Sequence, residues 1–166
     1  VLFNGNGYSE EWAKEAERRR LVNCKSCVDA IGNIISEKNI SLFESTGVLN
    51  KTELVSRAEI RYETFVKELT IESLAMISMA KKQIIPAVTN YVCLLATTIN
   101  EMRSASKTAD TSAIEKSLDM ISGLLKNADK ALDDLEKIVA NALKINEMPE
   151  RAMCFKNEVR PAMDML

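Results

Sequence analysis

Four groups of residues in this 166-residue chain have types and spacings that could do chemistry. Cys24 and Cys27 stand in a Cys-x-x-Cys pair, the spacing of half a structural zinc site or of a thioredoxin-like redox couple. Zinc needs further ligands, and the chain has no histidine and no second pair of this kind; Cys93 and Cys154 stand alone. A redox couple needs a βαβ setting, which the residues after Cys27 do not supply. The thiols therefore read as free groups in a reducing, cytoplasmic compartment. Gly5-Asn6-Gly7 ahead of a helix start resembles a phosphate cradle. It lacks a P-loop lysine and a longer glycine fingerprint, and Glu10 and Glu11 would repel a phosphate there, so it reads as a turn. Arg18-Arg19-Arg20 could hold an anion, but at the end of a helix the triplet complements the dipole. Asp119, Asp129, Asp133, Asp134 and Glu136 interleave with lysines, the pattern of a solvated face. No nucleophile stands with a base. Catalytic, cofactor-binding and metal-ligating residues are accordingly expected to be none.

Composition narrows the classes further. The absence of histidine removes Ser-His-Asp triads, Cys-His zinc sites and the Glu-x-x-His ligand sets of di-iron bundles. Lys plus Arg is 22 and Asp plus Glu is 24, a net charge of −2, so no basic excess exists to neutralise nucleic acid. Apolar runs such as Tyr91 to Ala96 fall far short of the roughly 18 to 20 residues that span a bilayer. With 46 % apolar and 28 % charged residues the chain suits one folded domain. Five glycines and three prolines are too few for a many-turned β fold. The eight methionines lie mainly along helical stripes, where they fill a core. What remains is a mostly helical protein with few breaks.

Val1-Leu2-Phe3 reads as a short strand that stops at the glycine turn, and an unpaired strand of this length points to a longer polypeptide. A first helix starts after Ser9, with Glu10 and Glu11 in its first turn. Ser26-x-x-Asp29 resembles a capping box for a second helix carrying Val28, Ile31, Ile35 and Leu42, stopped at Gly47. Whether residues 27–46 form one helix or two, divided near Asn39, the pattern leaves open. A long third helix begins at Asn50-x-x-Glu53. Its stripe runs Tyr62, Phe65, Leu69, Ser73, Met76, Ala80, Ile84, Val88, Tyr91, Leu95, Ile99 and Met102, a mean step of about 3.6, so Pro86 should kink this helix without ending it.

A fourth helix opens at Ser112-x-x-Glu115. Leu118, Ile121, Leu125, Ala128, Leu132, Leu135, Val139 and Ala142 recur every three or four residues. Leu124, Ala131, Ile138 and Ile145 add a second row. A two-row seam suits a helix packed against more than one neighbour. At ~50 Å it matches the helix before it, and the two should form an antiparallel hairpin. A last helix starts near Pro149 and carries Ala152, Phe155, Val159, Ala162 and Leu166 through Pro161. Lys156 to Met163 echoes Lys82 to Val88 as a charged start followed by a Pro-Ala kink. The chain then stops with Met165-Leu166 still apolar, a second pointer to a longer polypeptide.

Val1-Leu-Phe-Asn-Gly-Asn-Gly-Tyr-Ser-Glu-Glu-Trp12 resembles the segment that follows the catalytic core in type III glutamine synthetases. The resemblance continues through Ser56-Arg-Ala-Glu-Ile-Arg-Tyr62, Thr70-Ile-Glu-Ser-Leu74, Met79-Ala-Lys-Lys-Gln-Ile-Ile-Pro-Ala-Val88 and Arg160-Pro-Ala-Met163. Residues 108–144 match in helical character alone. Arg20 stands where the family pattern has a helix-ending glycine, and Cys24 and Cys27 replace apolar and threonine residues. The resemblance implies a parent enzyme that makes glutamine from glutamate, ammonia and ATP with Mg2+ or Mn2+, its catalytic motifs lying outside this sequence. It also implies a cytoplasmic homo-oligomer, with the rest of the synthetase chain and neighbouring subunits as partners.

The expected fold is all-α, a bundle of long, partly Pro-kinked antiparallel helices with a short N-terminal strand-like segment. Residues 1–8 would end a preceding catalytic domain and 9–166 form the helical C-terminal domain. Its expected role is scaffold and oligomerisation, without an active site and without nucleic acid or membrane as partner. The alternative is a free-standing helical interaction module.

Overall fold

The computed structural model describes residues 3–166. Among them every regular element is helical: α1 (Glu10–Arg18), α2 (Cys27–Ile34), α3 (Glu37–Ser45), α4 (Lys51–Met79), α5 (Ile85–Ala105), α6 (Ser112–Ala142), α7 (Met148–Cys154) and α8 (Arg160–Met165). Five-residue π-helical turns, Ala80–Ile84 and Phe155–Val159, join α4 to α5 and α7 to α8. The all-α expectation holds. The strand expected over Val1 to Phe3 falls mainly on Val1 and Leu2, outside the described residues. Phe3 is irregular and sets its ring 4.8 Å from that of Trp12. The chain divides into two compact units, Val1–Tyr62 and Glu63–Leu166.

In the first unit the caps fall where hydrogen-bonding side chains precede apolar runs. The Ser9 hydroxyl accepts from the Trp12 amide at 3.4 Å. The Ser26 hydroxyl accepts from the Asp29 amide at 3.2 Å and donates to the Asp29 carboxylate at 2.7 Å. Asn50 and Glu53 form a reciprocal box, each side chain accepting from the other's amide, at 3.0 and 2.8 Å. Residues 27–46 form two helices, broken at Ile35-Ser36. Asn39 lies just beyond the break and donates to the Asn33 carbonyl at 2.7 Å, closing the end of α2. The break ends the stripe, and Leu42 is exposed rather than part of the core. Val28, Ile31, Leu54, Ala58 and Tyr62 are buried. Gly32 lets α2 approach Tyr62 closely: a Cβ there would stand 3.3 Å from the Tyr62 hydroxyl oxygen, a tight contact.

In the second unit α5 and α6 pack as the expected antiparallel pair, and the Phe155–Val159 turn and α8 pack on α6. Lys81 Nζ meets Glu136 Oε1 at 2.6 Å, and Arg103 Nη2 meets Glu115 Oε1 at 2.6 Å, so opposite ends of the hairpin are pinned. Leu132, Leu135, Val139 and Ala142 are buried along α6, and Ala152, Phe155 and Val159 along the terminal helix. The N-terminal half of the α6 seam is looser. Leu125 is half-buried and Leu124 exposed, so the second row does not pack at that end. Its start also differs by one residue from the expected box. Thr111 is the N-cap, the Thr111 hydroxyl bonds the Glu115 carboxylate, and Asp110 Oδ1 accepts from the Ser112 amide at 3.0 Å. Asp110 thus takes the first free amide of the helix, that of Ser112, and the Glu115 amide donates to the Thr111 carbonyl instead of a Ser112 side chain.

Helix continues through both internal prolines. Pro86 has no N–H to donate and would clash one turn back in plain α geometry. The π-helical turn before it widens the ladder by one residue. The inward seam therefore steps five residues, from Ala80 to Ile85, and continues through Val88, Val92, Leu95 and Ile99. Ile84 and Tyr91, expected on the inner stripe, are turned outward. The same device recurs at Phe155–Val159 ahead of Pro161, again ending two residues before the proline. The echo between the two segments is thus a shared local geometry.

Candidate functional site

The residues singled out for chemistry are separate in the structure, and each has a structural partner or a solvated position. Asn33 Nδ2 donates to Cys24 Sγ at 3.1 Å, while Cys27 is exposed at the first position of α2. Among the described residues no group of three or more His, Cys, Asp or Glu side chains is arranged to hold a metal ion. Cys93 is exposed, and Cys154 is half-buried with its thiol pushed up by burial and by the Glu158 carboxylate.

In the glycine turn, Asn6 Oδ1 accepts from the Tyr8 amide at 3.0 Å. The Asn6 carbonyl accepts from the Ser9 amide at 3.1 Å and from its hydroxyl at 2.8 Å. Those bonds define a turn leading into the Ser9 cap. The basic triplet is largely engaged. Glu15 takes Arg18 Nε at 2.7 Å, Arg18 Nη2 at 2.6 Å and Arg19 Nε at 2.5 Å. The Arg18 and Arg19 bonds hold its carboxyl at about 2, below the usual 4.5. The Ser112 hydroxyl and amide likewise lower Asp110. On α6, Asp119, Asp129, Asp133 and Asp134 are solvated, and Glu136 is taken by Lys81. The two interhelix ion pairs carry no sequence signal, because their partners lie 12 and 55 residues apart.

An apolar groove is also present among the described residues. A groove of about 630 Å³ runs between the end of α4, its π-helical turn, α6 and α8, lined by Met76, Met79, Ala80, Ile84, Ala128 and Met163 among others. Glu72 is the charged residue on its wall. Nucleotide and divalent metal do not fit these donors. The groove offers methyl and thioether groups with a single carboxylate side chain, Glu72. Its chemistry is that of packing against another apolar surface.

The described residues define an all-helical region whose long hairpin is pinned near both ends by ion pairs. The family model for the glutamine synthetase C-terminal domain matches residues 1–103. The chain is 36 % identical to a glutamine synthetase of Butyrivibrio fibrisolvens, over 100 % of this chain and 24 % of that protein. It is 37 % identical to a type-3 glutamine synthetase of Dictyostelium discoideum, over 61 % of this chain and 14 % of that protein. A glutamine synthetase of Bacteroides fragilis (strain YCH46) is 24 % identical over 100 % of this chain and 23 % of its own length. The chain belongs to the glutamine synthetase C-terminal domain family, as the C-terminal helical region of the type III kind. It spans about a quarter of the length of the relatives it matches from end to end.

Proposed function

We propose that this region serves as scaffold and subunit contact in a homo-oligomeric, cytoplasmic type III glutamine synthetase. The parent enzyme joins ammonia to glutamate at the expense of ATP, with Mg2+ or Mn2+ bound by residues outside this sequence. The region itself contributes no catalytic group. Residues 1–8 lead out of the catalytic domain and 9–166 form the helical one. The observation that carries this reading is the set of large apolar side chains left exposed on long helices, including Ile71, Leu74, Met120 and Leu124. Such surface is unfavourable in water and favours burial against another subunit. The test is made in the full-length enzyme, with glutamate placed at these four positions together. Light scattering should show a smaller assembly with circular dichroism unchanged, and glutamine formation should fall with the loss of assembly. An assembly of undiminished mass would overturn the role.

A further inference from the structure

Of the asparagines in the chain, Asn4 and Asn6 alone are followed by glycine, and both lie in the turn that enters α1. An asparagine in this setting can lose its side-chain amide to its own backbone, because glycine has no Cβ to hold the side chain away from the next peptide nitrogen. The structure separates the two positions. The Phe3 ring stands against Gly5, where a Cβ would lie 2.7 Å from ring atoms. Beside Gly7 the space is open, with nothing within 4 Å of the same point. The Tyr8 amide donates to Asn6 Oδ1 at 3.0 Å, which closes a ring containing both Asn6 Cγ and the Gly7 nitrogen. Asn6 and Gly7 are exposed, so water reaches them.

We propose that Asn6 is a site of spontaneous deamidation, through a cyclic imide formed with Gly7, and that the isoaspartate produced releases the N-terminal cap of α1. The Gly7 nitrogen gives up its proton to water or hydroxide and attacks Asn6 Cγ. A C–N bond forms, the Cγ–Nδ2 bond breaks, and the leaving nitrogen takes up a proton and departs as ammonia. The Tyr8 N–H already points at the oxygen on which negative charge gathers during the attack. Water then opens the imide at one of its two carbonyls, and water is the only co-reactant. Opening at one carbonyl gives aspartate, which keeps an acceptor where Oδ1 stands and leaves the Asn6 main-chain carbonyl in place. Opening at the other gives isoaspartate, whose main chain is lengthened through Cβ and Cγ, so that this carbonyl is displaced. The Asn6 carbonyl accepts from both the Ser9 amide and the Ser9 hydroxyl, and the hydroxyl oxygen caps the Trp12 amide. Chemistry in an exposed turn thus acts on the first turn of α1.

Peptide mass spectrometry of the 166-residue chain, aged in neutral buffer, tests the site, with fragmentation that tells isoaspartate from aspartate. Asn6 should convert severalfold faster than Asn4 in the folded chain, and the two should convert at similar rates in denaturant. Gly7→Ala, whose Cβ meets no neighbour, should slow the Asn6 reaction severalfold with circular dichroism unchanged. Fluorescence of Trp12, the single tryptophan, should move to the red in proportion to the isoaspartate content of the aged chain. Unaged Asn6→Asp should keep the original emission. An Asn6 that stays intact in the folded chain over the time it converts in denaturant overturns the site. So does an Asn4 that reacts as fast as Asn6 in the folded chain, or a Gly7→Ala chain that reacts undiminished. An unmoved Trp12 emission at high isoaspartate content, or a shifted one in unaged Asn6→Asp, overturns the release of the cap.

Discussion

Arg20 has φ of 56°, the left-handed region in which a Cβ is crowded by the following carbonyl, and it closes α1 there. The Leu21 amide donates to the Ala16 carbonyl at 2.9 Å and the Arg20 amide to that of Glu17 at 2.9 Å, the two bonds of a Schellman end. Gly47, with φ of 68°, closes α3 through the same two bonds, from Val48 to Phe43 and from Gly47 to Glu44. One motif is thus filled by the residue that suits it and once by a residue that does not. Arg20→Gly should raise stability by about 0.5 to 1 kcal/mol, and Gly47→Ala should lower it by about 1 kcal/mol, read from denaturant midpoints. The sequence hinted at the first case, because an arginine stood where a glycine was expected. It could not show that the turn survives the substitution. Glu15 supplies a second test in the same helix. Its folded carboxyl titrates at about 2 against an ordinary 4.5, so its contribution is complete above 4.5 and is lost as the pH falls toward 2. Trp12, the single tryptophan, lies in α1 against Phe3 and should report that loss by fluorescence; in Glu15→Gln the acid transition over this window should flatten.

At the scale of helices, the starts were legible because caps are local. Ser9, Ser26 and Asn50 each bond an amide three residues on, and that chemistry is written within four residues of sequence. The α6 start was displaced by one residue because Asp110 and Ser112 both offer an acceptor near the first free amides, and their geometry decides between them. The π-helical turns were not legible. A hydrophobic stripe reports an average period, and one extra residue in forty barely alters it, although the faces of Ile84 and Tyr91 are reversed. The α6 seam carries its own test. Leu132 is 2 % exposed, and Leu132→Ala should cost about 2 to 5 kcal/mol through lost burial and a cavity. Lys130→Ala, on the exposed side, should stay within about 0.5 kcal/mol. Equal denaturant midpoints for the two variants would mean that the α6 seam is not a packing surface.

For the molecule as a whole, the sequence spoke most clearly through what its composition excludes. The absence of histidine, two isolated cysteines beside one Cys-x-x-Cys pair and a close balance of charges removed His-dependent triads and Cys-His zinc sites from the readings the sequence allows. The structure adds the partners: Asn33 for Cys24, Glu15 for Arg18 and Arg19, Lys81 for Glu136. Two measurements follow. Calorimetric titration of the chain with ATP and magnesium should show no micromolar binding, and heat of binding in that range would contradict the assignment of nucleotide chemistry to residues outside this sequence. Melting should be unchanged by EDTA, since Cys24 and Cys27 lack the two further ligands a structural zinc ion requires. Stoichiometric zinc in the purified protein would overturn that expectation.

The π-helical turn before Pro86 also bears on inheritance. It is one residue of slack stored in a long rod. A gene that lost the codon for Gln83 would let the turn relax toward ordinary α geometry, with a sharper bend at Pro86, while every later side chain of α5 kept its present face. The same loss in the middle of α6, where no slack is stored, would turn everything after it by about 100° and take Leu132 and Leu135 out of the core. Length variation among descendants of this chain should therefore collect at the two π-helical turns and spare α6.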